Sequence, residues 1–168
     1  GNPDRLLIRT SWVSMCGSDI PFFTGSKRHI KYPFAPGTPI HECVGQVVES
    51  TSSLFKTDDR IIAIPEGNQA LAEYFVARAE KSVLLPPDLG NSDTSCLIQP
   101  LSTVMNAVDR LGNIEGHSVA IVGLGSTGLF FCWLLKKRRA GRIVGIDPSD
   151  HRCHLAENLG IDKTYKMR

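Results

Sequence analysis

Apolar residues in the first part of the chain come in short runs cut by Gly, Pro and Asp. Leu6 to Val13, Cys43 to Glu49, Arg60 to Pro65 and Ala72 to Ala77 have the length and flanking turn formers of β-strands. Pro33, Pro36, Gly37 and Pro39 mark one extended loop, and Pro86 with Pro87 mark another, because proline cannot sit inside a regular helix. Asn91 to Leu111 reads as helix, ending near Gly112. After Glu115 the period changes: Val119 to Val122 has the character of a buried strand, Ser126 to Arg139 of a helix, Arg142 to Ile146 of a strand, and Asp150 to Leu159 of a helix closed by Gly160. The order βαβα predicts a parallel sheet following a β-rich region.

Length and composition narrow the class. A chain of 168 residues holds one domain or two small ones at roughly 150 residues per domain. Hydrophobic residues at 42% and charged residues at 21% are ordinary globular values and exclude a disordered or collagen-like chain. A net charge of +2 gives no reason to expect nucleic acid as a partner. Lys136-Lys137-Arg138-Arg139 falls at the end of an expected helix, where cations meet the negative end of the helix dipole. Ser118 to Leu135 is uncharged and long enough to demand a membrane check, but Gly123, Gly125 and Gly128 in its middle suit a strand, a turn and a new helix instead. No signal peptide is visible at the start, and five scattered cysteines without CxxC spacing fit a reducing compartment, so a cytoplasmic protein is expected.

Gly123-Leu124-Gly125-Ser126-Thr127-Gly128 matches GxGxxG between an expected strand and an expected helix. In that setting the glycines allow a tight turn, close approach to a pyrophosphate and packing of helix on strand, while the helix N-terminus, with Ser126 and Thr127, offers unpaired N–H groups to phosphate. Asp147 ends the second strand about 20 residues later, the place of a ribose 2′-hydroxyl acceptor. That carboxylate would repel a 2′-phosphate, so NAD is favoured over NADP, with Arg152 keeping the second cofactor open. A glycine turn beside a solvated Asp is the plain alternative.

Cys16, His41 and Glu42 are of the residue types that zinc prefers, and three protein ligands plus water is the pattern of a catalytic site. Ligand type without geometry is permissive, so a metal site and ordinary core or surface positions both remain open on these residues alone.

Several motifs in order nevertheless resemble one family: Cys16-Gly17-Ser18-Asp19, His41-Glu42 followed by Cys43-Val44-Gly45-Gln46-Val47, Asp59-Arg60-Ile61, Ala72-Glu73-Tyr74-Phe75-Val76, Gln99-Pro100-Leu101-Ser102, then the glycine loop and Asp147. The chain resembles the zinc-dependent medium-chain dehydrogenase/reductases, on the sorbitol and polyol dehydrogenase branch. The resemblance implies a β-rich GroES-like catalytic domain over residues 1–105, followed by part of an α/β Rossmann domain, a doubly wound parallel sheet, over 106–168. It implies that Cys16, His41 and Glu42 hold one catalytic zinc, that Asp19 orients His41, and that Ser18 begins a proton relay. The activity implied is NAD-dependent oxidation of a secondary alcohol of a polyol, sugar or cyclitol, or the reverse carbonyl reduction, by a full-length protein that forms a homo-oligomer. The small-molecule alcohol or ketone is then the partner, with neither nucleic acid nor membrane involved.

The chain also departs from that pattern. Gln99 stands where the branch usually carries Glu, and a neutral amide can hydrogen-bond a water at the metal but cannot act as a base. Ile40 and Asp58 replace usual glycines. The four-cysteine lobe expected between Pro65 and Ala72 is missing, so no structural zinc is expected. Cys43, adjacent to Glu42 in sequence, should point away from it by strand alternation, and Cys96 is a conceivable replacement ligand. Family members are about twice as long, so the chain is expected to stop before the remaining Rossmann strands. Two rival readings follow: a zinc-free NADPH reductase of the same superfamily, and a binding or scaffold relative without turnover.

Overall fold

The computed structural model describes residues 3–26, 31–89 and 92–167. Contacts divide it into two compact units, residues 1–99 and 100–168.

In the first unit β1 (Arg5–Ser14), β2 (Glu42–Ser50), β3 (Arg60–Pro65) and β4 (Tyr74–Leu84) close into an antiparallel barrel. A short helix, α1 (Ile20–Phe23), follows β1. Alternation of side chains sends Leu6, Ile8, Val47, Ile61, Phe75 and Ala77 inward, where they form the core. β4 runs well past the expected Ala77, through Ala79 and a buried Ser82 whose hydroxyl donates to the Arg78 carbonyl. Gly45 fixes the β1–β2 approach, since a Cβ there would lie 2.4 Å from the Arg9 carbonyl oxygen. Both departures from the family's glycines have local explanations. Ile40 is buried in the barrel core. Asp58 takes the left-handed conformation (φ 72°) that glycine adopts most easily, and its side chain accepts a hydrogen bond from Gln46 at 3.0 Å.

The segment expected to be helical from Asn91 to Leu111 is divided in two. Asn91 lies outside the described residues; Asp93–Leu97 is a 3₁₀ turn capped by Ser92, and α2 (Ile98–Arg110) follows, with Pro100 tolerated in its first turn.

The second unit builds β5 (Val119–Val122), α3 (Ser126–Lys137), β6 (Ile143–Ile146), α4 (Asp150–Asn158) and β7 (Lys163–Tyr165), with the strands parallel in the order β5-β6-β7. Val104, Val108, Ile121, Leu124, Leu135 and Ile143 form its core. α3 ends earlier than the expected Arg139, because Arg139 itself turns left-handed (φ 58°). The basic run at this helix end is held by ion pairs, Arg138 to Asp109 at 2.6 Å and Arg139 to Glu115 at 3.5 Å. α4 starts at a Ser149 cap and ends before Gly160, whose φ of 83° closes the helix as expected. No helix among the described residues is long and apolar enough to cross a membrane.

Candidate active site

The first candidate centre is assembled at one end of the β1–β2 pair. Ser14 lies opposite Glu42 in the antiparallel register, so the chain leaving β1 brings Cys16 to the residues that open β2. The turn after β1 is locked twice: the Asp19 N–H donates to the Cys16 carbonyl at 3.0 Å, and the Cys16 N–H donates to Asp19 Oδ2 at 2.8 Å. Cys16 Sγ, a His41 ring nitrogen and a Glu42 carboxylate oxygen all lie within 4.8 Å of one another. No other such cluster of three occurs among the described residues.

Asp19 is 1% exposed, and its Oδ1 lies 3.3 Å from His41 Nδ1, with the Pro39 carbonyl oxygen also 3.3 Å from that nitrogen. Both neighbours can only accept, so Nδ1 carries the proton and Nε2 presents its lone pair. A thiolate, an imidazole and a carboxylate at this spacing suit a divalent metal with nitrogen and sulfur preference, and the donor set fits zinc.

Cys43, one residue beyond Glu42, stays out of the cluster as strand alternation predicts. Burial pushes its thiol far up, the nearby Cys96 adds to the effect, and its Sγ lies 3.2 Å from the Ala63 carbonyl oxygen. Cys96 does not join the cluster either; it packs against Val44, Ile62 and Leu85, and burial pushes its thiol up to about 11. Ser18 is exposed in the turn before α1, and Gln99 is half-buried in the first turn of α2.

The second centre lies in the parallel-sheet unit and uses main chain. Gly123 turns left-handed (φ 92°) as the chain leaves β5. Gly128 lets α3 pack on this turn, since a Cβ there would fall 2.0 Å from the Gly123 carbonyl oxygen. Gly125, the cap of α3, differs: its φ of −67° suits any residue, and a Cβ on it would meet nothing within 4 Å among the described residues. The chain itself does not require glycine there, whereas a diphosphate lying against the backbone would. No side chain caps α3, which leaves its first-turn N–H groups, with Ser126 and Thr127, to meet an anion. A groove of about 360 Å³ runs beside the loop, lined by Val119, Ile121, Gly123, Thr127 and Phe131.

Asp147, at the end of β6, is 2% exposed. Its Oδ2 accepts the Leu124 N–H at 2.8 Å and its Oδ1 accepts the Ser149 N–H at 2.8 Å, while Arg152 Nη1 lies 3.6 Å from Oδ2. These N–H groups, Leu124 foremost, hold its carboxyl below the usual value against the opposing effect of burial, and Arg152 adds to the lowering. The sequence signals the bond to Leu124 only through an acid at the sheet's carboxyl end beside a glycine-rich loop.

Comparison with known proteins bears on both centres. The family model of the alcohol dehydrogenase GroES-like domain matches residues 2–87. The chain belongs to that family. Within it, the chain is similar to zinc-type medium-chain dehydrogenases of the sorbitol-like branch, among them sorbitol, arabitol-phosphate and threonine dehydrogenases. Sorbitol dehydrogenase of Bacillus subtilis (strain 168) is 27% identical over 99% of this chain and 55% of its own length. D-arabitol-phosphate dehydrogenase of Enterococcus avium is 28% identical over 95% of this chain and 53% of its own. Galactitol-1-phosphate dehydrogenase from Escherichia coli superposes with a TM-score of 0.82 at 22% identity, covering 99% of this chain and 55% of that one, which supports the fold of a GroES-like domain followed by part of a Rossmann domain. This member of the family spans about half the length of the relatives it matches.

Proposed function

We propose that the chain is the metal-binding and nucleotide-binding part of a zinc- and NAD-dependent dehydrogenase that oxidises a secondary alcohol of a polyol, sugar or cyclitol, or reduces the corresponding carbonyl. The observation that carries this reading is the convergence of Cys16, His41 and Glu42 within 4.8 Å, with buried Asp19 behind His41. Relatives named for sorbitol and for arabitol phosphate support the polyol class.

Cys16, His41 and Glu42 would hold one zinc ion, which supplies Lewis-acid polarisation of a hydroxyl or carbonyl oxygen. The Pro39 carbonyl takes the His41 Nδ1 hydrogen and the buried Asp19 carboxylate beside that nitrogen holds the ring by its charge, which would leave Nε2 for the ion. Ser18, exposed beside these ligands in sequence, passes a proton between the reacting hydroxyl and water. Gln99 orients the substrate oxygen as a neutral hydrogen-bonding partner and adds no negative charge.

In the second unit the backbone of Gly123, Gly125 and Gly128, with Ser126 and Thr127, would receive the diphosphate of NAD. Asp147 keeps an acceptor position on Oδ1 for a ribose hydroxyl, because that oxygen takes only the Ser149 amide while Oδ2 meets both the Leu124 amide and Arg152. Its charge disfavours a 2′-phosphate, which supports NAD over NADP. Five free cysteines are consistent with a reducing cytoplasm. Elemental analysis of the purified chain is expected to give one zinc per chain, and the full-length protein should reduce NAD with a panel of polyols. Stoichiometric zinc with no polyol turnover would favour the non-catalytic rival, and an absence of zinc the zinc-free reductase.

A further inference from the structure

The carboxylate of Asp147 does more than face a ribose. It reaches across to the strand-to-helix turn of the neighbouring β–α unit and takes the amide of Leu124, the residue between the first two glycines. The Leu124 side chain on the other side of that amide is fully buried in the core. One residue of the loop is thus gripped from both sides, by packing on its side chain and by a charge on its N–H. The second oxygen takes Ser149 N–H at the start of the turn into α4, which fixes the direction of the carboxylate.

We propose that Asp147 is a positioning residue that holds the Gly123-Leu124-Gly125 turn in its phosphate-receiving shape before any cofactor arrives. This deepens the nucleotide-binding reading and rests on it. A hydrogen bond from an amide to a charged acceptor is among the stronger kinds, and this one is shielded from water at a carboxylate 2% exposed. The depressed pKa of the group agrees with an anion bound by N–H donors. The groups that face it are few. From α4 come Arg152 and the Cys153 thiol, whose Sγ lies 3.6 Å from the Asp147 carbonyl oxygen; from β7 the Tyr165 carbonyl accepts the Asp147 N–H; from the β5–α3 turn comes only the Leu124 amide.

The proposal makes an unusual sign prediction with inorganic pyrophosphate, which has no ribose for Asp147 to touch. In Asp147→Asn the amide side chain keeps one acceptor but turns an NH₂ toward the second main-chain N–H, so one arm of the clasp is lost. Charge alone would make this variant bind pyrophosphate more tightly, because an anion has been removed. The clasp demands the opposite.

Titrating pyrophosphate into the cofactor-free chain and following the Gly125, Ser126 and Thr127 amide resonances should show affinity falling several-fold in Asp147→Asn. Hydrogen exchange at Leu124 should accelerate by at least about tenfold, with Val119 and Ile143 unchanged. Unchanged or tighter pyrophosphate binding, or unchanged Leu124 exchange, overturns the proposal. If the variant does not fold, the unmodified chain decides: Leu124 and Ser149 amide shifts should titrate with the Asp147 carboxyl carbon at one pKa below the ordinary value, and independent titration overturns the clasp. If the unmodified chain ignores pyrophosphate while Leu124 exchange still responds to Asp147→Asn, the nucleotide reading falls and the grip on the loop stands.

Discussion

The two candidate centres are built from opposite materials. In the barrel unit, side chains of three types converge from two places in the sequence, and the backbone serves to bring them there through the β1–β2 register. In the parallel-sheet unit the backbone itself is the proposed binding surface, and side chains are conspicuous by their removal at Gly123, Gly125 and Gly128. A side-chain site should fail when one donor is deleted; a main-chain site should fail when something is added.

The largest effect is expected for Cys16→Ala, which removes one of the three proposed ligands. Zinc affinity, measured by competition with a chelator, should fall by more than it does in Asp19→Ala, and stoichiometric zinc surviving with unchanged affinity would exclude Cys16 as a ligand. Asp19→Ala should come next, at about 10–100-fold, the usual range for a group that orients a ligating histidine. In the other unit the matching experiment is an addition. Gly128→Ala puts a Cβ 2.0 Å from the Gly123 carbonyl oxygen and should cost about 1–3 kcal/mol in urea unfolding, with zinc affinity untouched. A loss of zinc in Gly128→Ala would show that the contrast is wrong.

Acid sharpens the comparison further. The folded-state pKa of Asp147 is depressed below 3.8, so the unfolded chain binds the proton more readily in that window. Stability from this group is therefore complete above the unfolded value and is lost as pH falls through the folded one. Unfolding of the second unit, followed by exchange of its amides, should grow more favourable across that interval in the unmodified chain and show a weaker slope in Asp147→Asn.

The smallest change is expected where the barrel places a non-glycine in the conformation that the glycine loop gives to Gly123. Asp58→Gly relieves a left-handed residue but forfeits the bond from Gln46, and should stay within about 1 kcal/mol of the parent in thermal unfolding.

How much of this was legible beforehand follows the same division. Val119 to Val122, the glycine loop and Asp147 could be read directly, because a main-chain site leaves its mark as missing side chains at fixed spacing. Cys16, His41 and Glu42 could be read as suitable types, while their convergence depends on Ser14 pairing with Glu42, a register that periodicity alone does not specify. β7 was invisible: Lys163-Thr164-Tyr165 has no apolar repeat and is a strand because β6 offers it a free edge. The early end of α3 has a related reason. Arg139 looks like one more helical cation, and its left-handed turn is set by its surroundings, where its N–H donates to the Lys136 carbonyl and its own carbonyl receives the Gly116 N–H.

The closure of the barrel has one further consequence. β1 and β2, at whose ends the candidate metal-binding residues gather, are neighbours in a ring in which every strand is hydrogen-bonded on both sides. A ring of this kind behaves as a hoop: it cannot be widened at one point without parting a ladder somewhere along its circumference. The spacing of Cys16 from His41 and Glu42 is therefore a dimension of the whole hoop, set as much by β3 and β4 on the far side as by the two strands at whose ends these proposed ligands lie.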